Sequence, residues 1–261
     1  MIRYILLILL ISITSLTSND LFFHHKSGNV ELTELINNKL VVLPLEFGRT
    51  YTLTNNLSIV TGTNSNMYSE AHYIFPHRIA ISQKESSSTY FNETPIEYYN
   101  DFKLPEVLRV KNSSLNFTLN GTLYCVSEST NQTIISTSLC FLSFKQSQFF
   151  VKSSDKYTHV YVIDGNVVVN DNKSKKKKEL KKGDYLVITP QVFVSPKESN
   201  NIKPGNSFST KEIEEDENMV HLGEIEQLKI KLKYTLFVNY GHSIFGFETS
   251  PNDYFPITIS E

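Results

Sequence analysis

The residues of this chain whose types could do chemistry are seven histidines, two cysteines and a run of lysines. His24 and His25 are adjacent near the start of an exported chain, an arrangement that offers at most weak metal binding and otherwise reads as a solvated tail. His72 and His77 are separated by an odd number of residues, so an extended strand would place them on opposite faces and exclude shared ligation. His159 falls in an alternating stretch and is expected to face solvent, while His221 and His242 stand alone. Neither G-x-S-x-G nor H-E-x-x-H occurs, and there is no phosphate-binding glycine loop and no C-x-x-C. Asp164-Gly165 reads as turn chemistry. The expectation is therefore a protein with no catalytic residues, no metal site and no cofactor.

Cys125 and Cys140 are the two cysteines. In an exported chain an even count points to a disulfide. If Gly121 to Ser127 paired with Ile134 to Phe144 around Asn131-Gln132, the two residues would lie opposite each other, with Cα atoms about 5 Å apart and within bridging reach. Lys173, Lys175, Lys176, Lys177, Lys178, Lys181 and Lys182 crowd one hairpin tip and raise a local positive potential. They are the candidate binding residues, suited to an anionic envelope polymer, a lipid surface or an acidic protein. A solvated tip that discourages edge pairing is the competing reading. The whole chain is close to neutral, with 25 Lys and Arg against 27 Asp and Glu. That balance gives no electrostatic reason to bind nucleic acid.

The elements around these residues are strands. Residues 1–18 read as a signal peptide: Arg3 supplies the positive end, Ile5 to Ile11 the apolar segment, and Ser15-Leu16-Thr17-Ser18 the small residues for cleavage between about Leu16 and Asp20. No later segment is expected to span a membrane once this one is removed, and a periplasmic or secreted location follows. Alternation and β-branched runs then dominate, as in Lys39 to Leu43, Leu115 to Leu119, Thr133 to Phe144, Gln148 to Lys152 and Thr158 to Val169. The fold class is all-β, with β-sandwich-like antiparallel sheets over residues 19–196. Ser82 to Lys103 reads as a long polar loop. Residues 197–219 read as an acidic linker, with room for a short helix at Thr210 to Asn218. Residues 220–261 read as a C-terminal β segment, because Leu228, Ile230, Leu232 and Tyr234 alternate with Lys229, Lys231 and Lys233.

A pattern recurs. Gly28-Asn29-Val30, then Leu45 to Gly48, then Tyr51 is echoed by Gly165-Asn166-Val167, then Leu180 to Gly183, then Tyr185. Each copy reads as a strand, a hairpin loop, an aliphatic residue, a turn glycine and a further strand.

Three passages in order resemble the FecR-type domain, the periplasmic module of ferric citrate-type regulators. They are Ile59-Val60-Thr61-Gly62-Thr63-Asn64-Ser65; then Asn120 to Tyr124, Ile134 to Thr137 and Gln148 to Val151; and finally Thr158 to Val169 closed by Leu180 to Tyr185. One departure is Gln146-Ser147-Gln148, where the family places Gly-Thr before the phenylalanine. The resemblance covers about residues 28–190. It implies a β-sandwich-like domain without catalysis or cofactor, whose partner is another envelope or extracellular protein. Val160 to Pro190 also resembles the second half of a cupin barrel. Gln191-Val192-Phe193-Val194 then follows without the histidine that a metal-binding cupin needs, which leaves a degenerate cupin-like enzyme as one alternative. Sequons at Asn56, Asn92, Asn112, Asn116, Asn120, Asn131 and Asn172 leave a secreted viral or eukaryotic glycoprotein as an alternative. The expectation from sequence is an exported, non-enzymatic binding or sensing module of the cell envelope.

Overall fold

The computed structural model describes residues 20–37, 39–46, 48–52, 57–63, 68–75, 78–91, 115–191 and 205–240. The expected signal segment, His77, His242, the sequons Asn56, Asn92 and Asn112, and residues 241–261 lie outside the described residues. Among the described residues, fifteen strands form one continuous hydrogen-bonded sheet. They are β1 (Asp20–Ser27), β2 (Val30–Ile36), β3 (Lys39–Leu43), β4 (Thr50–Thr52), β5 (Leu57–Thr61), β6 (Glu70–Phe75), β7 (Ile79–Gln83) and β8 (Ser87–Phe91). The chain continues through β9 (Leu115–Ser127), β10 (Thr133–Ser136), β11 (Cys140–Ser153), β12 (Thr158–Asp171), β13 (Lys177–Lys181), β14 (Tyr185–Gln191) and β15 (Gly205–Thr210), and then the helix α1 (Glu215–Tyr240). The all-β expectation holds: pairing is antiparallel throughout except between β9 and β10.

Three long strands crease the sheet into two facing layers. The first half of β9 pairs with β8 and β10, and its second half with β7 and β11. The change falls at Gly121, whose φ is +113°. The β11–β12 ladder is interrupted between Lys145 and Gln148, where Gln146 has φ +40° and Gly165 lies opposite with φ +78°. One layer therefore runs β4-β1-β6-β7-β9-β11-β12-β14-β15, and the other β3-β2-β5-β8-β9-β10-β11-β12-β13. Alternate residues of both layers point inward and form one core. Tyr73, Phe75, Phe91 and Phe117 interlock across it with ring centroids 5.8 to 5.9 Å apart.

The repeated pattern folds into a repeated unit. β1 continues through Gly28 into β2, which hairpins to β3, and the chain returns through Gly48 to β4 beside β1. The two halves of β12, joined at Gly165, then β13, Gly183 and β14 follow the same path. Gly48 N–H donates to Phe23 O at 2.9 Å, and Gly183 N–H to Val162 O at 2.8 Å. Both turn glycines have positive φ, +74° and +86°.

Three expectations are corrected. Leu228 to Asn239 is not a strand but part of α1. The residues it buries, His221, Ile225, Leu228, Leu232 and Thr235, repeat at helical spacing, and Ile230 is exposed. Acidic residues in its first turn and strong helix formers thereafter favour the helix. The apolar outer face of the first layer, including Ile74, Tyr124 and Phe150, gives it a surface to cover. The linker likewise is partly structured, since 205–210 form β15 along β14. The start of the expected loop at Ser82 is instead β7, a short crossing at Lys84 to Ser86, and β8 in the other layer. Its polar residues fit there because they satisfy one another: Gln83 Nε2 donates to Ile59 O at 3.0 Å and Ser87 O at 2.9 Å.

The disulfide is also absent. Cys125 lies opposite Phe149 and Cys140 opposite Asp171, and both are free, buried thiols. The cysteines would have met only in a hairpin around Asn131-Gln132, whereas β9 and β10 run parallel and β11 reaches β9 with a different register. Burial pushes both thiols up, Cys140 to about 12. The expected result is that neither cysteine reacts with a thiol reagent in the native protein and both react on unfolding without reductant; no thiol released would restore the bridge.

Candidate functional site

The two edge strands of the second layer, β3 and β13, are equivalent elements of the repeated unit, and they differ in chemistry. β13 is Lys177-Lys178-Glu179-Leu180-Lys181, with Leu180 buried, Lys178 half-buried and Lys177, Glu179 and Lys181 exposed. Charges of this kind block pairing with another chain. β3 is Lys39-Leu40-Val41-Val42-Leu43 and, among the described residues, pairs only with β2. Leu40 and Val42 are 67% and 61% exposed, and Val41, Leu35 and Ile36 of the same hairpin are also exposed. A strand edge with unblocked apolar side chains is the geometry by which an extended peptide adds to a sheet.

The lysine cluster is at the opposite edge of this layer. Lys173, Lys175, Lys176, Lys177, Lys181 and Lys182 are exposed and Lys178 is half-buried. The turn that carries them is tied down from within. The fully buried Asp171 carboxylate accepts from Lys173 N–H at 2.6 Å and Ser174 N–H at 3.0 Å, and Asn206 of β15 donates to it through backbone N–H and side chain. The lysines themselves contribute little to that anchoring; Lys182 stands 3.9 Å from Asp164 with both side chains exposed. Replacing Lys175 to Lys178 with serine is therefore expected to leave the melting temperature unchanged or slightly higher, because mutual repulsion is removed and exposed pairs are worth under about 1 kcal/mol. A large drop in a thermal melt would mean that the tip packs on the body.

A third constellation, which sequence reading missed, lies between α1 and the first layer. Lys84 Nζ is 2.6 Å from Glu70 Oε1 and 2.6 Å from Glu224 Oε2. Glu70 also accepts from Ser82 Oγ at 2.7 Å and pairs with His72 Nε2 at 2.5 Å, and His72 Nδ1 faces Lys231 Nζ. Two carboxylates, two ammonium groups and an imidazole therefore share one network between the helix and the sheet. Further along the helix, Tyr124 Oη is 3.0 Å from His221 Nδ1, and Tyr161 donates to Asn218 Oδ1 at 2.7 Å. The legible signal was the helical spacing of His221, Ile225, Leu228 and Leu232.

This layer makes stability sensitive to acid. Burial pushes the Glu70 carboxyl up, but hydrogen bonds and charge from His72, with Lys84 and Ser82, more than offset it and hold it well below its ordinary 4.5. Burial lowers His221, and burial with the Lys152 and Lys211 charges lowers His159, both from 6.5. A lowered folded pKa means that the unfolded chain binds the proton more readily. The histidine contributions are therefore complete above pH 6.5 and lost as pH falls through the lower folded values, and Glu70 follows below 4.5. Melting temperature against pH should fall in these two stages, and His221→Phe should flatten the first; a curve flat from neutrality to pH 4 would contradict the arrangement.

His159 is half-buried and not fully solvent-facing: its Nδ1 is 2.5 Å from Tyr185 Oη, and the Tyr157 ring lies tilted against it with centroids 4.7 Å apart. Among the described residues no group of three or more His, Cys, Asp or Glu is placed to hold a metal ion. No helix among them is long and apolar enough to cross a membrane. Of the sequons, Asn116 and Asn120 lie in β9, and Asn172 Nδ2 donates to Thr137 O and Ser138 O.

No protein-family model matches the chain, and no curated protein matches it. Two solved structures of a candidate anti-sigma factor from Parabacteroides distasonis ATCC 8503, at 1.65 and 2.50 Å resolution, align with TM-scores of 0.38 and 0.39 and 12% identity. The alignments cover 59% of this chain, and the chain spans about 60% of the length of those proteins. Likeness at that level says nothing of what either protein binds.

Proposed function

We propose that this chain is an exported, non-catalytic binding module of the cell envelope that takes a protein partner along the open edge of β3. The observation that carries the reading is the contrast within the repeated unit: lysines guard β13, whereas Leu40 and Val42 leave β3 open. Backbone bonds to an added strand supply affinity there, and the alternating apolar side chains supply selectivity. The signal-like N-terminus and the ordered FecR-like passages support an extracytoplasmic setting. The lysine-rich tip, at the far edge of the same layer, serves as a separate cationic contact that strengthens encounter with an acidic partner at low salt.

The test uses the mature protein as bait in native envelope extract, beside a Leu40→Lys/Val42→Lys variant. Both substituted side chains are exposed, so the fold is retained. A partner identified with the unsubstituted bait should bind the purified variant at least about tenfold more weakly. Equal binding by the variant would remove β3 from the reading, and a measured turnover by the purified protein would overturn it.

A further inference from the structure

The outer face of the first layer carries a second charged region, at the side of α1. Lys152 of β11, His159 of β12, Val187 of β14 and Ser209 of β15 are register partners in one row across four adjacent strands. Three strand spacings make that row about 14 Å wide. Val187 packs at the margin of the outer apolar cluster, which sets the side chains of the row on the face that α1 partly covers. Lys211, just past β15, holds its ammonium 5.9 Å from the Tyr185 ring centroid, and the Tyr185 hydroxyl is 2.5 Å from His159 Nδ1. Two exposed lysines therefore flank one half-buried imidazole. The half-buried Tyr157 ring closes the other side of it. These cations are not balanced. Elsewhere on this face Lys84 lies between Glu70 and Glu224, and Lys229 meets Glu226. Among the described residues, Lys152 and Lys211 have no carboxylate within ion-pair distance. Glu217, the acid whose charge acts on His159, stands 3.7 Å from His221 instead. His159 Nε2 forms no hydrogen bond among the described residues. Lysines gathered around an imidazole without a counter-charge are a local conflict that the fold itself does not need, and such conflicts belong to sites that take a ligand.

We propose that this row binds an acidic saccharide, a sugar ring bearing a carboxylate of the uronate class. The carboxylate lies between Lys152 and Lys211 over His159, where it supplies the missing counter-charge. The Tyr157 ring meets the C–H face of the sugar, and His159 Nε2 and the exposed Ser209 hydroxyl meet its polar groups. A bare inorganic anion would use the lysines and leave the Tyr157 ring idle. A lipid surface would need exposed large apolar side chains, and none of those among the described residues lies in this row. The site is separate from the β3 edge and from the lysine-rich tip, and it stands whether or not either of them takes a partner.

Trimers of galacturonate and of mannuronate, titrated into the full chain at low salt, test this through the heat of binding and the ring proton resonances of His159. At least one trimer should bind with a dissociation constant below about 1 mM. The methyl-esterified trimer keeps the rings and loses the charge, and inorganic sulfate keeps charge and loses the rings. Each should bind more weakly by about tenfold or more. Lys152→Ala/Lys211→Ala should weaken uronate binding by about tenfold, whereas serine at Lys175 to Lys178 should leave it unchanged. Tyr157→Ala should weaken binding of the trimer and not of sulfate. Thermal melts establish that each variant is folded. The bound carboxylate should also raise the His159 pKa, because it offsets the Lys152 and Lys211 charges that lower it, while burial and Glu217 act in both states. Lysines with a purely structural role would leave that titration where it is. No binding of either trimer at about 1 mM, equal binding of sulfate, or binding lost with the tip variant and kept by Lys152→Ala/Lys211→Ala would overturn the proposal.

Discussion

Lys84→Ala is expected to cost about 3 kcal/mol or more and to loosen α1 from the sheet. Lys84 is buried, and its ammonium is the one group that neutralises both Glu70 and Glu224, at 2.6 Å from each. Alanine leaves Glu70 among Ser82, His72 and the helix with half its compensation gone, and leaves Glu224 facing that carboxylate. It also removes a cation 5.3 Å from the Tyr124 ring centroid. The loss should appear in urea denaturation and, locally, as faster amide exchange at Ile225 to Leu232. The triple change Lys84→Met, Glu70→Gln, Glu224→Gln should recover most of it, because no buried charge is then left unpaired. A loss for Lys84→Ala below about 1 kcal/mol would class the network with exposed pairs, and α1 would then be held by Ile225, Leu228 and Leu232 alone.

Gly121→Ala should be at least as damaging, for a different reason. This residue turns β9 from one layer into the other at φ +113°, a conformation that side chains rarely adopt. A Cβ there would also lie on Ser87 Oγ and 2.5 Å from Ser87 Cα, and Ser87 Oγ accepts the Thr122 N–H at 2.7 Å. Strain and overpacking together should cost about 3 to 5 kcal/mol, enough to leave a marginal domain largely unfolded. Gly183→Ala is the control. Its φ is +86° but nothing lies within 4 Å, so only the backbone cost of about 1 to 2 kcal/mol remains. Equal losses for the two in denaturant titrations would show that the crease at Gly121 is not tight.

The amino-acid order by itself determined the local chemistry. Alternation and β-branched runs specify strands because side chains of a strand point to opposite faces, and that holds before any partner strand is present. Gly28, Gly48, Gly165 and Gly183 were legible for a similar reason: only glycine takes positive φ cheaply, so spacing alone exposed the repeated unit. The lysine cluster was equally plain, since charge needs no fold to be counted. What the strands pair with was decided only by the tertiary structure. Cys125 and Cys140 were separated by a parallel β9–β10 pairing that no short-range signal encodes. Lys229 to Tyr234 alternates well enough for a strand, and became helix because a buried apolar face of the first layer rewards residues spaced by three and four. The open edge of β3 is a tertiary property too, for Lys39 to Leu43 reads only as a strand until it is found at the end of its layer with nothing beside it among the described residues. Glu70 and His72 come from β6, Lys84 from the crossing between β7 and β8, and Glu224 and Lys231 from α1, up to 161 positions apart in number. No spacing in the sequence links them, and only the packing of α1 removes the water that would otherwise keep them apart.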